Sequence, residues 1–221
     1  HLPAATIPAA NDHDYEINTM VGSAWIAYKK KLIKKKFSED AIKNISESAQ
    51  SILNKLSLDT QTSGPIKGLV VGNVQSGKTA NMAALMAMAA DQGFNMFIVL
   101  SGTIENLRIQ TQTRLINDLG EATNVAWVPI DNVSPSSSFT HALSKLSLGD
   151  DFKQRYLNVC LKNSTRLENL LTWLKKDIKA REKLKILFID DSIKDCITRL
   201  FAILLLVSKA SCILIPFNKF K

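Results

Sequence analysis

The sequence predicts a three-layer α/β fold, in which helices cover both faces of a parallel β-sheet. Short apolar runs of strand length recur along the chain, at residues 68–71, 96–100, 125–130, 157–161 and 184–189. The stretches between them have helical spacing of apolar residues, at 79–91, 104–119 and 166–179, with a less regular one at 141–155. Strands that alternate with helices are joined by crossovers, and the resulting parallel sheets are buried on both faces.

A helical segment precedes the predicted sheet. Residues 1–14 are rich in proline and alanine and are expected to form a flexible lead-in. Residues 15–64 carry apolar residues at three- and four-residue spacing, and Ser38 is placed to cap a second helix. They end in a turn-like composition at 59–65. The apolar positions are Trp25, Tyr28, Leu32, Ile33, Ile42, Ile45, Ala49, Ile52 and Leu56.

The composition is that of a soluble globular protein with a basic surplus. The chain has 221 residues, of which 46% are hydrophobic and 22% charged, and this length suits one well-buried domain. Its formal net charge is +8, which favours an anionic partner such as nucleic acid or a nucleotide. Much of the surplus lies in the sequence KKKLIKKK at 29–36, which is typical either of a solvated helix face or of a nucleic-acid contact.

The cysteines and histidines argue against several kinds of site. Cys160, Cys196 and Cys212 have no CxxC spacing and no histidine near them in sequence, which argues against a zinc site and a disulfide framework. Such cysteine usage suits a reducing cytoplasm, where we expect the protein to be located. The three histidines are scattered, so the sequence gives no support for a Ser-His-Asp triad.

The sequence GNVQSGKT at 72–79 has the Walker A pattern, with two glycines separated by four residues and followed by lysine and threonine. Glycines let backbone N–H groups curl around a phosphate, and the start of the next helix favours negative charge. The lysine would reach the terminal phosphates, and the threonine hydroxyl would coordinate Mg²⁺. A chance match on a glycine-rich turn is the alternative, but the strand before it and the helix after it favour phosphate binding. The predicted nucleotide-binding residues are Gly72, Gln75, Ser76, Gly77, Lys78 and Thr79.

An acidic strand end supplies the second part of such a site. The sequence KLKILFIDD predicts a strand at 186–189 that is followed by Asp190 and Asp191. In P-loop ATPases, an acid at the end of a later parallel strand holds Mg²⁺. A solvated aspartate pair at a strand end is the alternative. We predict Lys78, Asp190 and Asp191 as catalytic residues, with Thr79, Asp190 and Asp191 as the Mg²⁺ ligands of an ATP site.

A third stretch resembles motif Ia of superfamily-two helicases. In FIVLSGTIENLRIQTQTRL at 97–115, a strand ends in a small-residue turn with Thr103, and a helix carrying Asn106 and Gln110 follows. In that family the element touches the nucleic-acid backbone, which gives Thr103, Asn106 and Gln110 a nucleic-acid role by resemblance. On local chemistry alone, Thr103 could equally serve as an ordinary helix cap.

The combination of GLVVGNVQSGKTANM, IVLSGTIENLRIQTQTR and VCLKNSTRLENLLTWL resembles the bacterial Z-one domain family, over about residues 25–191. Members of that family are large proteins assigned as endonucleases, with a helicase-like ATPase region and links to restriction-type defence against foreign DNA. The resemblance implies a RecA-like, superfamily-two helicase-like lobe at 65–191. It also implies nucleotide binding by Gly72, Gln75, Gly77, Lys78 and Thr79, and metal binding by Asp190 and Asp191.

The resemblance ends after Asp191. The family strand would continue into Glu-Ala-Asp, whose glutamate polarises the attacking water, whereas this chain has Ser192. Residues 192–221 form an aliphatic tail unlike the family, which a broken reading frame or a truncated gene would explain. Its apolar run at 200–207 is too short to span a membrane, and a core strand or helix is the ordinary interpretation. We expect the second lobe and the nuclease region to be missing from this chain.

The sequence therefore predicts an ATP-binding, helicase-like P-loop ATPase module of a Z-one-type endonuclease that acts on DNA. Its hydrolysis should be weak, because the glutamate and the arginine of a second lobe are both missing. The alternative is a nucleotide-responsive binding or regulatory module without hydrolysis, or an inactive fragment. ATP and Mg²⁺ are the expected cofactors, DNA is the expected partner of the intact protein, and no membrane association is expected.

Overall fold

A computed structural model describes residues 14–56, 58, 66–69, 78–120, 122–131, 133, 142–190 and 210–214; at 66–69, 78 and 210–214 it describes the backbone alone. The helices are α1 (Ala24–Lys34), α2 (Glu39–Leu53), α3 (Lys78–Asp91), α4 (Glu105–Leu119), α5 (Ser164–Lys175) and α6 (Ile178–Glu182). The strands are β1 (Ile66–Leu69), β2 (Met96–Ser101), β3 (Ala126–Ile130), β4 (Gln154–Leu161), β5 (Ile186–Asp190) and β6 (Ala210–Leu214). A short 3₁₀ helix spans Leu143–Lys145.

The strands form one parallel sheet, which confirms the predicted α/β class. Within the described ranges the sheet has six strands in the order β1-β6-β5-β2-β4-β3. All of its neighbouring pairs are parallel. Each of the five predicted apolar runs overlaps one of these strands. The sixth strand, β6, comes from the tail beyond residue 191 and lies between β1 and β5.

Two hydrophobic cores, one on each face of the sheet, follow from the direction of the crossovers. The connections from β1 to β2 and from β2 to β3 move one way along the sheet, and the connection from β4 to β5 moves back. Because such crossovers are right-handed, their helices lie on opposite faces. Accordingly, Phe97 and Val99 of β2 pack in the core that contains residues of α1–α4. Met96 and Ile98 of the same strand pack in the core that contains residues of α5.

The N-terminal helices belong to the same core as the helix α3. Both α1 and α2 pack against α3, whose residues from Met82 to Ala90 are all buried. A helix that is apolar on every side needs cover on every side, which α1, α2, α4 and the sheet supply. The Asp91 carboxylate, at the end of α3, accepts hydrogen bonds from the backbone N–H groups of Ala24 and Trp25, at 2.8 and 3.0 Å. It thus satisfies two free N–H groups in the first turn of α1.

The prediction of a helix at 141–155 is wrong. Of the described residues in that range, 142–155, only Leu143–Lys145 form a helical turn, and β4 already begins at Gln154. The spacing of Leu143 and Leu146 resembles a helix repeat, but both leucines cover the sheet from a loop. Gly149 and the aspartates after it end the repeat, with the ring of Phe152 closing over Gly149.

No helix in the described part of the chain combines the length and the apolar content that a membrane crossing requires.

Candidate functional site

The elements that carry the described site residues end or begin at the carboxyl edge of the sheet. Ligands of open α/β sheets bind outside the carboxyl ends of the strands. Asp190 is the last residue of β5 and Ser101 is the last residue of β2. The helix α3 begins with Lys78, nine residues after β1 ends at Leu69, so its amino end faces the same edge.

A buried ion pair lies at this edge of the sheet. The Nζ atom of Lys162 lies 2.7 Å from Oδ2 of Asp190, and the two side chains are only 5% and 6% exposed. Lys162 directly follows β4, whereas Asp190 ends β5, and β2 lies between these two strands. The lysine side chain therefore reaches across the end of β2.

The backbone of Lys162 is fixed at the end of β2. Its N–H lies 3.0 Å from the carbonyl oxygen of Ser101 and 3.2 Å from that of Gly102, and it donates to both. The next residue, Asn163, caps α5 by accepting a hydrogen bond from the N–H of Arg166. Lys162 is thus held between a strand end and a helix start, which sets the direction of its side chain toward Asp190.

Some predicted site residues can be located and others cannot. Asp190 is buried, as expected of an acid at the end of a core strand. Thr79 is the second residue of α3 and is half-buried, and Lys78 is described by its backbone alone, as the first residue of that helix. The remaining residues predicted to bind nucleotide or metal lie outside the described residues; they are Gly72, Gln75, Ser76, Gly77 and Asp191.

The two predicted metal ligands that the structure describes with their side chains are of a type that suits Mg²⁺. The Asp190 carboxylate and the Thr79 hydroxyl are hard oxygen ligands, which Mg²⁺ prefers. In the part of the chain that is described, no three His, Cys, Asp or Glu side chains converge as a metal cluster. A magnesium–nucleotide site does not need such a cluster, because Mg²⁺ takes one or two protein oxygens and completes its shell with phosphate and water.

The predicted nucleic-acid residues lie together on an exposed helix start. Thr103, Asn106 and Gln110 are all exposed, just beyond the carboxyl end of β2. The alternative that Thr103 caps the helix is wrong, because Ile104 is the N-cap residue of α4 and no side-chain hydrogen bond caps it. Ile104 and Leu107, beside these polar residues, are 57% and 50% exposed. The surface therefore has both polar donors and apolar area available to a partner.

In the lysine block at 29–36, two lysines contact α4 and two others line a groove. The Nζ atom of Lys31 donates to the carbonyl oxygen of Asn117 at 2.8 Å, and Lys35 forms an ion pair with Asp118. Both contacts lie at the carboxyl end of α4, where the helix dipole favours cations. Lys30 and Lys34 are exposed and line an open groove of about 300 Å³.

Sequence reasoning missed Lys162 and Arg108. Arg108 of α4 is only 5% exposed; its Nε lies 2.8 Å from Glu105 and it donates to the carbonyl oxygen of Val159 at 3.2 Å. It thereby fixes α4 on β4. A lysine that immediately follows a long apolar run was the available signal for Lys162, because lysine at such a position is rarely buried without a partner.

The fold and this edge define an α/β protein with a parallel sheet and an acid–lysine pair at its carboxyl edge. A search of known protein families and a search of curated proteins both found no match to the chain. The Z-one resemblance consequently stays a prediction from the sequence motifs.

Proposed function

We propose that the chain is an ATP-binding, helicase-like P-loop module, with its nucleotide at the carboxyl edge of the sheet. The position of Asp190 relative to β1 is the observation that carries this proposal. Leu69 pairs with Leu214, and Leu214 pairs with Asp190, so these residues lie in one row across the sheet. Two strand spacings, about 10 Å, separate Leu69 from Asp190. The GNVQSGKT sequence starts three residues after Leu69, within reach of a ligand that also contacts Asp190.

The residues of this edge have separate roles in the proposed site. Lys78 and the N–H groups at the start of α3 bind the phosphates, and Thr79 and Asp190 provide the oxygens that hold a metal ion. When bound, Mg²⁺ would neutralise charge on the phosphates. Ser192, which stands where the resemblance predicts a glutamate, cannot take a proton from the attacking water. The module should therefore bind ATP with little turnover.

DNA is the proposed partner of the parent protein. Thr103, Asn106 and Gln110 can donate hydrogen bonds to backbone phosphates, which is how a protein binds DNA without reading its sequence. Their exposure, and the neighbouring exposed Ile104 and Leu107, support a partner at this helix start. This surface lies beyond β2, at the same carboxyl edge as Asp190, so a nucleotide bound at that edge would lie close to the DNA contact.

The DNA contact can be tested by fluorescence anisotropy with a labelled single strand at low salt. Asn106→Ala/Gln110→Ala should weaken binding about tenfold, which is the loss of about two phosphate contacts. Asn44→Ala/Ser48→Ala, which removes exposed polar groups from α2, is the matched control and should change nothing. If both variants lose DNA affinity equally, or if neither loses any, α4 is not the surface that binds DNA.

Phosphate release separates the motor from the non-hydrolysing alternative. The motor predicts slow phosphate release that single-stranded DNA clearly stimulates, whereas the non-hydrolysing module predicts ATP binding without turnover. Strong stimulation by DNA would show that the chain hydrolyses ATP without the missing glutamate. The absence of ATP binding would reject both versions of the proposal.

A further inference from the structure

We propose that the Lys162 ammonium pairs with the Asp190 carboxylate in the nucleotide-free chain. This pairing prevents a divalent metal ion from binding the carboxylate when no nucleotide is present. Metal binding at Asp190 then depends on a nucleotide, whose phosphates draw the lysine away from the carboxylate. This inference rests on the proposed function in two respects, namely that Asp190 is a metal ligand and that a nucleotide binds at the same edge. It adds a residue that no sequence motif indicates and a coupling between two ligands.

The surrounding structure holds the charged end of Lys162 beside Asp190. Its Nζ contacts Oδ2 of Asp190 at 2.7 Å, which is the distance of a charge-assisted hydrogen bond. A surface lysine samples many rotamers, but this side chain is 5% exposed and its backbone is held by Ser101 and Gly102. Any metal ion that approaches Asp190 therefore meets an ammonium already in place.

Stability alone does not explain such a pair. Removing two charges from water costs several kcal/mol per ion, and apolar residues of similar volume often stabilise a protein as well or better. The pair lies at the edge of the sheet, next to the end of β2 rather than in the middle of either core. A cation at this place weakens the attraction of Asp190 for metal ions and adds attraction for phosphate.

The coupling follows from these two opposite effects. In the nucleotide-free chain the Lys162 charge offsets the Asp190 charge, so Mg²⁺ gains little by displacing it. A nucleotide offers Lys162 further anionic oxygens at the same edge, and the carboxylate becomes available to the metal. Each ligand then raises the affinity of the other, as linkage requires.

Manganese binding to the full chain tests the proposal, with Mn²⁺ measured by electron paramagnetic resonance in the absence of nucleotide. Wild type should bind Mn²⁺ weakly, and Lys162→Met should bind it at least about tenfold more tightly, because the competing charge is gone. Lys162→Arg keeps the charge and should resemble wild type. Adding Asp190→Asn to Lys162→Met should abolish the gain.

A matched control removes the lysine of another Lys–Asp pair. Lys185 pairs with Asp150, whose side chain is 79% exposed, so Lys185→Met should leave Mn²⁺ affinity within about twofold of wild type. Equal Mn²⁺ affinity in Lys162→Met and wild type would overturn the proposal. If Lys162→Met does not fold, Lys162→Gln takes its place. The wild type also provides a test of its own. Tight Mn²⁺ binding by the nucleotide-free wild type, if Asp190→Asn abolishes it, would contradict the proposal.

The two proposals fail in different ways. If Lys162→Met gains Mn²⁺ binding through Asp190 while wild type binds no ATP, the competition between Lys162 and the metal stands, whereas its coupling to a nucleotide and the nucleotide proposal both fail. If wild type binds Mg-ATP but its nucleotide-free form already holds Mn²⁺ at Asp190, the nucleotide proposal stands and the lysine proposal fails.

Discussion

The hydroxyl of Tyr28 donates a hydrogen bond to the carbonyl oxygen of Ala80, at 3.1 Å, within the protein interior. Tyr28 lies in α1 and is 1% exposed, and Ala80 lies in the first turn of α3. Burial raises the pKa of Tyr28, so the hydroxyl stays protonated and remains a donor at all ordinary pH values. The N-terminal helices are thereby joined to the helix that follows the Walker A sequence.

Tyr28→Phe should lower the free energy of unfolding by about 1–2 kcal/mol, because it removes one buried hydrogen bond without changing the packing of the ring. Urea unfolding followed by circular dichroism measures this difference. A loss below about 0.3 kcal/mol would show that the hydroxyl contributes little beyond the packing of its ring.

Asp91→Ala should lower the free energy of unfolding by about 2–3 kcal/mol. The substitution leaves the N–H groups of Ala24 and Trp25 without their carboxylate acceptor and weakens the docking of α1 on α3. Asp91→Asn keeps one acceptor oxygen and should cost less than Asp91→Ala. Thermal unfolding of both variants measures the order, and equal losses would contradict the acceptor role.

Arg108→Met should destabilise the chain by about 2–4 kcal/mol, since it removes a buried guanidinium that ties α4 to the carbonyl oxygen of Val159. Arg114→Met, at an exposed position of the same helix, is the control and should cost less than about 0.5 kcal/mol. Chemical denaturation compares the two variants. Similar values for both would mean that Arg108 makes no special contribution.

Cys160 should be inert in the folded protein. Burial raises the pKa of its thiol to about 11, from a model-compound value of 9.0. In a Cys196→Ser/Cys212→Ser variant, a chromogenic disulfide reagent at pH 8 should therefore label Cys160 only after denaturation. Rapid labelling of the native variant would contradict its burial.

The same pKa shift has a consequence for stability. Because the folded-state pKa is raised, the contribution of the neutral thiol is complete below pH 9 and is lost as the pH rises to about 11. The difference in free energy of unfolding between wild type and Cys160→Ala should therefore shrink as the pH rises from 9 to about 11. A difference that stays constant from pH 8 to pH 11 would contradict the shift.

Sequence periodicity was enough to predict the parallel α/β class, because each apolar run is long enough for a strand and bounded by polar residues. It failed at 141–155, where leucines at helical spacing cover the sheet from a loop. It also gave no strand assignment for residues 210–214, whose backbone forms β6. Apolar residues alone do not distinguish a strand from a helix in so short a run.

The candidate site was predictable only in part. Asp190 was found because an acid that ends a buried strand is a recognisable pattern. Lys162 was missed because its partner lies 28 residues away and meets it only through the strand order β4-β2-β5. Sequence spacing contains no information on that order, which depends on how the crossovers pack.

The most direct test of the proposed function is the thermal shift caused by Mg-ATP. At a ligand concentration 100-fold above its dissociation constant, binding adds about 2.7 kcal/mol to stability, so the melting temperature of wild type should rise by several degrees. Lys78→Ala should abolish the rise, and Lys183→Ala, which removes an exposed lysine before β5, should keep it. No rise in wild type, or an equal rise in Lys78→Ala, would contradict a nucleotide site at the start of α3.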